Sequence, residues 1–448
     1  MEVVNPATET THSVQETALS ELPEIVRKAK MAQKEWAKHS ISERASIIQA
    51  LGPLMNDSLE MLAQSITNDM GKPIAKARAE VEGVIRTINF YCSQAADWLA
   101  SEKSDLGEVV FDPLGVVAVI SPWNFPIHVP SSGIFPALLA GNAVVFKPSE
   151  YTLETGKGIA ALFRELPGLP ENIFQIVVGG KEHGKALVEQ AVDMVHFTGS
   201  TAAGKHIMQS CAAGLKRVLL ELGGMDAAIV LKDADVKRAA QKIVGFNCNN
   251  TGQVCCSIKR VYVEEEIYDE FVRAATAVSS GITFGDPNTN VDMGPLVAGF
   301  QRDKVASIVK DAKNKGAKIH TGGELPTGKG YFYPSTIITD VSKEMRLLNE
   351  EPFGPVLPIM KVSSWQEAVE EANSSMYGLT GSVWSNDLEL GKKVAALLEV
   401  GTASVNKHGP GPLGTPFGGA KQSGIGRVKT KEAMRDFCNT KFIQVDNL

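Results

Sequence analysis

Between residues 115 and 222 the chain repeats one device. A short, unbroken apolar run is bounded by Gly, Pro or Ser, and a helix-compatible stretch separates it from the next. The runs are "GVVAVI" (115–120), "NAVVF" (142–146), "FQIVV" (174–178), "MVHF" (194–197) and "RVLLEL" (217–222). A strand with one wet face would alternate apolar and polar residues. Unbroken apolar strands alternating with helices instead predict a parallel sheet covered on both faces. Such sheets bind ligands outside the carboxyl ends of their strands. The residues that follow each run therefore carry the functional reading.

A second α/β series comprises "AAIVL" (227–231), a helix-like run from Ala234 to about Phe246, "RVYVE" (260–264), "FGPVLPIM" (353–360), "GSVWS" (381–385) and "TASVN" (402–406). It predicts a second domain, with "ELGG" (221–224) as a hinge. Ahead of both, residues 20–100 read as helical. Leu22, Ile25, Val26, Ala29 and Ala32 fall on one helical face, and Ser40 with Glu43 makes a capping box before Ile47, Ile48 and Leu51. The 448 residues suffice for two to four domains at about 100–200 residues each.

Asn124, in "SPWNFP" after the first run, sits between bulky and rigid neighbours, where a fixed amide can donate to a developing oxyanion. "KPSE" follows the second run. Lys147 there can reach a ribose or phosphate, and Glu150 can bind a ribose 2′-OH while repelling a 2′-phosphate. "FTGSTAAG" (197–204) places Gly199 and Gly204 where a strand turns into a helix, a setting that suits a phosphate. Glu221 closes an otherwise apolar run, so burial should raise its pKa toward that of a general base. "NNTGQVCCSIKR" (249–260) then sets two cysteines on a loop between elements. Taken singly, each feature is also what an ordinary turn, a charged strand end or a core cysteine looks like. Their joint occurrence is harder to dismiss.

The rest of the composition narrows the field. A net charge of −6 and a pI near 5.9 argue against a nucleic-acid binder. The six cysteines are scattered without a C-x-x-C pair, so neither a disulfide framework nor a metal site is signalled. A reducing, cytoplasmic setting is expected. The N-terminus lacks the basic and apolar regions of a signal peptide. No apolar run approaches the roughly 18 residues of a membrane helix.

Eight motifs in order make the chain resemble the aldehyde dehydrogenase superfamily. They are "PWNFP" (122–126), "KPSE" (147–150), "FTGSTAAG" (197–204), "ELGG" (221–224), "GQVC" (252–255), "MGPL" (293–296), "EEPFGPV" (350–356) and "PFGGAKQSGIGR" (416–427). The resemblance implies an α/β fold with a Rossmann-like NAD-binding domain (1–93 and 114–223), a second α/β catalytic domain (224–420) and a small β oligomerisation element (94–113 and 430–448). It implies Cys255 as nucleophile, Glu221 as general base and Asn124 as oxyanion amide, with Cys256 inessential. Lys147 and Glu150 match the adenosine-ribose ligands, Gly199 and Ser200 the pyrophosphate turn, and Glu351 and Phe353 the contacts near the nicotinamide. Trp123, Ser149, Gly204 and Leu222 complete the implied cofactor set. The cofactor expected is NAD, with NADP as the alternative, and the assembly a homodimer or homotetramer. The presence of Glu221 favours water over coenzyme A as acyl acceptor.

The substrate is less defined. Relatives that oxidise succinate semialdehyde resemble this chain overall, but carry arginines where Asn249 and Ser132 stand here. An uncharged aliphatic or aromatic aldehyde is therefore expected, succinate semialdehyde being the alternative. His128 and the loop 406–417, with Lys407 and His408, are further sources of polarity. Two other classes compete: a cysteine hydrolase pairing Cys255 with His128, His196 or His408, and a non-catalytic relative of the family.

Overall fold

The unbroken apolar runs become buried parallel strands. In the computed structural model, which describes residues 1–445, Val116–Ile120, Ala143–Lys147, Phe174–Ile176, Met194–Thr198 and Arg217–Glu221 share one sheet. All four pairings among them are parallel. Every residue of Val116–Ile120 and Ala143–Lys147 is buried, as helices on both faces require. The third run forms a shorter strand than its five letters suggest. Past Ile176 the chain leaves the sheet, and Val178 N donates to Thr17 Oγ1 at 3.0 Å.

The strand order creates the crevice. Val116–Ile120 lies between Ala143–Lys147 on one side and Met194–Thr198 on the other. The chain first builds outward to Phe174–Ile176, then crosses back to build the other half. At this reversal the connections leave in opposite directions and open a cleft beyond the strand ends. A short antiparallel strand, Gly424–Ile425, closes the sheet edge beside Arg217–Glu221.

Five helices, Leu22–Trp36 to Ile74–Trp98, occupy the region read as helical. The capping box forms: Ser40 Oγ accepts from Glu43 N, and the Glu43 carboxylate accepts from Ser40 N at 2.7 Å. Helix Leu59–Met70 stops at Gly71, whose φ of +77° suits a left-handed cap. A Cβ there would fall 2.4 Å from Pro295 Cγ, so the "MGPL" motif lies directly against this helix end.

The second series forms a seven-stranded sheet in the order Lys318–Thr321, Thr336–Thr339, Val356–Val362, Ile258–Glu264, Asp226–Val230, Thr380–Trp384, Thr402–Val405. Only the first pair is antiparallel. The strands Lys318–Thr321 and Thr336–Thr339 have no counterpart in the sequence reading. "KIHT" is mostly polar and "TIIT" half polar, and both lack the long apolar runs that marked the other strands. Strand Val356–Val362 starts later than "FGPVLPIM" suggests, because Phe353 turns with φ +53°.

A three-stranded antiparallel sheet joins Glu102–Ser104, Gly107–Pro113 and Cys438–Gln444. It exposes Leu106, Phe442 and Ile443. Residues 446–448 of the expected oligomerisation element lie outside the described residues. Among the described residues no helix is long and apolar enough to cross a membrane, and no cluster of His, Cys, Asp or Glu could hold a metal.

Candidate active site

A cavity of about 630 Å³ opens where the sheet order reverses, lined by Trp123, Lys147, Ser149, Glu150, Gly199 and Ser200 among others. Ser200 caps helix Thr201–Ala212, its Oγ accepting from Ala203 N at 3.3 Å. The other N–H groups of a helix's first turn lack intrahelical partners, a setting that suits a phosphate in the cleft. Lys147 Nζ donates to Pro148 O at 2.9 Å and lies 3.6 Å from Glu150. Burial lowers the Lys147 pKa and Glu150 opposes the shift. Gly204 and Leu222 meet each other: a Cβ on Gly204 would sit 2.5 Å from Leu222 Cδ2. Their contact lets the helix lie close on the strand end. Trp123 packs edge-on against Phe353, with ring centroids 5.4 Å apart. An ammonium–carboxylate pair, a glycine turn before a helix N-terminus, and an aromatic wall form a donor set that fits a dinucleotide.

The cysteine loop is strained and locked. Helix Val236–Asn247 gives way to a turn in which Asn250 (φ +49°) and Thr251 (φ +57°) are left-handed. Non-glycine residues hold this conformation at a cost of about 1–3 kcal/mol each, and only where neighbours enforce it. Here they do. Asn250 Nδ2 donates to Asn124 O at 2.8 Å, and Thr251 Oγ1 donates to Gly294 O at 3.0 Å. Gln253 Oε1 accepts from Val297 N at 2.9 Å. "MGPL" therefore braces the loop that ends in Cys255.

Cys255 is half-buried and Cys256 buried. The Cys255 pKa is lowered, foremost by a hydrogen bond from the Cys256 thiol, with burial opposing and Lys259 assisting. Cys256 shifts the other way for the same reason. Lys259 escaped the sequence reading, because it stands at the start of an apolar strand. Its buried Nζ donates to Val254 O at 3.1 Å and Cys255 O at 2.5 Å, and pairs with Glu351 at 3.0 Å. Burial alone would lower the Lys259 pKa; Glu351, Asp226 and Cys255 together raise it. Glu351, matched to a ribose contact, is thus held by Lys259 and also accepts from Gly224 N at 3.4 Å.

Asn124 reaches the same place from the loop after strand Val116–Ile120. Its Nδ2 donates to Gln253 O at 3.0 Å, leaving a second N–H uncommitted. Its own carbonyl accepts from Lys72 Nζ at 3.0 Å. Lys72 forms a fully buried ion pair with Glu80, whose Oε1 accepts from Ile127 N and His128 N at 3.2 and 3.1 Å. Lys72→Met should leave that carboxylate buried without its cation and cost about 3–5 kcal/mol. Urea unfolding measures this, and an unchanged midpoint would refute it.

Glu221 ends strand Arg217–Glu221 almost fully buried, and neither carboxylate oxygen has a hydrogen-bond partner among the described residues. Its pKa is raised well above the usual carboxylate range, first by burial and then by Cys255, while Arg427 and Lys429 pull it down. A Cβ on Gly418 would lie 2.9 Å from Glu221 Oε1. This explains the glycine of "PFGG": the motif's backbone runs directly against the carboxylate.

The three candidate histidines face groups other than the Cys255 sulfur. His408 Nε2 meets Cys256 O at 3.0 Å and its Nδ1 meets Ser382 Oγ at 2.9 Å. His196 is buried against Phe437. His128 stands beside Gly83. Among the described residues none of the three hydrogen-bonds to the Cys255 sulfur, so a cysteine–histidine hydrolase lacks its base.

Comparison with known proteins points to one family. Residues 1–443 match the profile of the Aldehyde dehydrogenase family. The 3,6-anhydro-alpha-L-galactose dehydrogenase of Streptomyces coelicolor is 38% identical, over 95% of this chain and 88% of that protein. The crystal structure of lactaldehyde dehydrogenase from Escherichia coli superposes with a TM-score of 0.95 at 34% identity, covering 99% of this chain and 95% of that one. The NAD⁺ complex of aldehyde dehydrogenase from Bacillus cereus gives 0.96 at 34% identity, covering 100% and 93%. A doubly wound sheet, a braced cysteine loop and full-length similarity converge on one assignment: the chain belongs to the aldehyde dehydrogenase family.

Proposed function

We propose that this enzyme oxidises an aldehyde to the carboxylic acid through a covalent intermediate on Cys255, with NAD as the preferred cofactor. The observation that carries the reading is the meeting of three distant residues. Asn124 is bonded to the backbone two positions before Cys255, and Glu221 is close enough for its charge to couple with that sulfur.

The Cys255 thiolate attacks the carbonyl carbon. The oxyanion is received by the second N–H of Asn124 and by the Cys255 backbone N–H, each such donor contributing roughly 2.7–4 kcal/mol. Nicotinamide, when bound, supplies the hydride acceptor. Lys147, Glu150 and Ser200 hold the dinucleotide, and Trp123 with Phe353 walls the end near Cys255. Glu221 takes a proton from water, which attacks the thioester carbon. The carbon–sulfur bond breaks, releasing acid and thiol. Splitting the reaction this way replaces one difficult step by easier ones.

The exposed apolar residues of the three-stranded sheet, Leu106, Phe442 and Ile443, suit burial against a second copy, so the assembly is read as a homodimer or homotetramer. On the cofactor, Glu150 should repel a 2′-phosphate. The expected result is a kcat/KM for NAD at least about 10-fold above that for NADP; a preference for NADP would overturn it. The same assay, absorbance at 340 nm with a panel of aldehydes, tests the activity itself. Ester or peptide turnover without NAD, and no reduction with any aldehyde, would refute the proposed function.

A further inference from the structure

Neither arginine position of the succinate semialdehyde relatives holds a charge here. Ser132 Oγ is spent on Val129 O at 2.8 Å, and Asn249 is uncharged. The structure nevertheless sets Lys429 on a ring that packs with Cys255, and places His128 and Arg86 together over Gly83, in a chain whose net charge is −6.

Lys429 is the innermost. It is half-buried, with φ +77°, and its ammonium lies 5.1 Å from the centroid of Phe417. Phe417 in turn packs with Phe125, Phe246 and Cys255 against Val254, Cys256 and Leu379. Phe417 and Val428 exchange two backbone hydrogen bonds, of 3.2 and 2.8 Å, which fix the register beside Lys429. Phe125, Phe246, Phe417 and Lys429 do not line the cofactor cavity; the three rings pack with Cys255 and Cys256 instead. Burial lowers the Lys429 pKa, while Cys256, Glu221 and Cys255 raise it, so its charge is felt at both sulfurs and at the general base. Among the described residues its ammonium meets the Phe417 face and pairs with no carboxylate. Glu221 is not its partner, since neither Glu221 oxygen is hydrogen-bonded.

His128 and Arg86 stand further out. Above Gly83, a Cβ would lie 3.8 Å from His128 Nδ1 and 3.7 Å from an Arg86 guanidinium nitrogen. Burial lowers the His128 pKa; Glu80 opposes this, and Lys429, Lys72 and Arg86 reinforce it. His128 therefore serves as a neutral hydrogen-bonding group near pH 7. Arg86 keeps only a loose, exposed contact with Glu82 at 4.0 Å. Of the cations felt at His128, Lys72 is already committed to Glu80. A half-buried ammonium with no anion beside it is costly unless a ligand supplies one.

We propose that Lys429, with His128 and Arg86 at the rim, forms an anion-accepting subsite on the substrate side, so that the preferred aldehyde carries a carboxylate or phosphate at its far end. This rests on the aldehyde dehydrogenase reading and replaces the expectation of an uncharged substrate, which was drawn from positions 132 and 249 alone. Betaine aldehyde, a cation, should be disfavoured for the same reason.

The test compares kcat/KM for succinate semialdehyde, glyceraldehyde 3-phosphate, butanal and betaine aldehyde, in wild type, K429M and K429R. In wild type, at least one anion should exceed butanal, and betaine aldehyde should be poorest. K429M should reduce the anion-to-butanal ratio by roughly 10-fold or more, mostly through KM, the scale of one charge-assisted hydrogen bond. K429R should retain most of the ratio. Succinate semialdehyde and glyceraldehyde 3-phosphate separate a carboxylate from a phosphate preference. If K429M lowers every substrate equally and shifts the pH profile, Lys429 acts through Glu221 and the subsite is overturned. If wild type oxidises butanal and rejects both anions, the subsite alone falls. If no aldehyde is oxidised, the parent reading fails and takes the subsite with it.

Discussion

Cys255→Ala is expected to abolish aldehyde oxidation, lowering kcat by at least about 10⁴-fold, the range seen when a covalent nucleophile is deleted. The fold should survive, because the loop is braced by Asn250, Thr251 and Gln253 rather than by the sulfur. Cofactor binding should survive too, since Cys255 does not line the dinucleotide cavity. The thiol's reactivity gives a second readout. Cys255 is lowered from its ordinary value by the Cys256 thiol and by Lys259. Its rate of alkylation by iodoacetamide should rise with pH around a midpoint lowered from that of an unperturbed thiol. Cys256→Ala should move that midpoint upward while leaving turnover measurable. A midpoint at the free-thiol value in the wild type would show that the environment does not activate Cys255, and retained turnover in Cys255→Ala would remove it as nucleophile.

Much of the architecture was legible because burial writes itself into composition. "GVVAVI" and "NAVVF" are apolar at every position because both faces of those strands are covered. The edge strand Lys318–Thr321 was not legible for the converse reason: "KIHT" carries exposed and half-buried positions and leaves no unbroken run; Thr336–Thr339 is buried throughout, but "TIIT" holds only two apolar letters. At the site, the residues that end a strand or interrupt a motif stood out, namely Asn124, Glu221 and Cys255. The groups that act on them did not. Lys259 and Lys72 look like surface charges in the sequence, yet both are buried against carboxylates, Lys259 with the distant Glu351 and Lys72 with Glu80 in the helix that follows it. Lys429 follows the recognised motif by two residues. Its relation to Phe417 exists only because the chain doubles back between them. Pairing across long sequence separation leaves no local pattern to read.

Glu221→Gln should separate the two halves of the reaction. The amide keeps the shape of the side chain but cannot accept a proton, so acylation of Cys255 should proceed and hydrolysis should stall. Rapid mixing with NAD and aldehyde should give a burst of about one NADH per active site, followed by a steady state lowered by about 10²–10⁴-fold, the usual contribution of a general base. The unmodified enzyme should also show the sign of the Glu221 shift. Burial and the neighbouring Cys255 raise its pKa, and only the ionised form can take a proton from water. Deacylation is therefore complete above that raised pKa and is lost as pH falls through it. This limb should vanish from the pH profile of Glu221→Gln, because an amide does not titrate. Hydroxylamine, which attacks a thioester without a base, should restore part of the turnover. A variant with neither burst nor rescue would place Glu221 in the acylation half instead, and one with normal steady-state turnover would deny it any part in the chemistry.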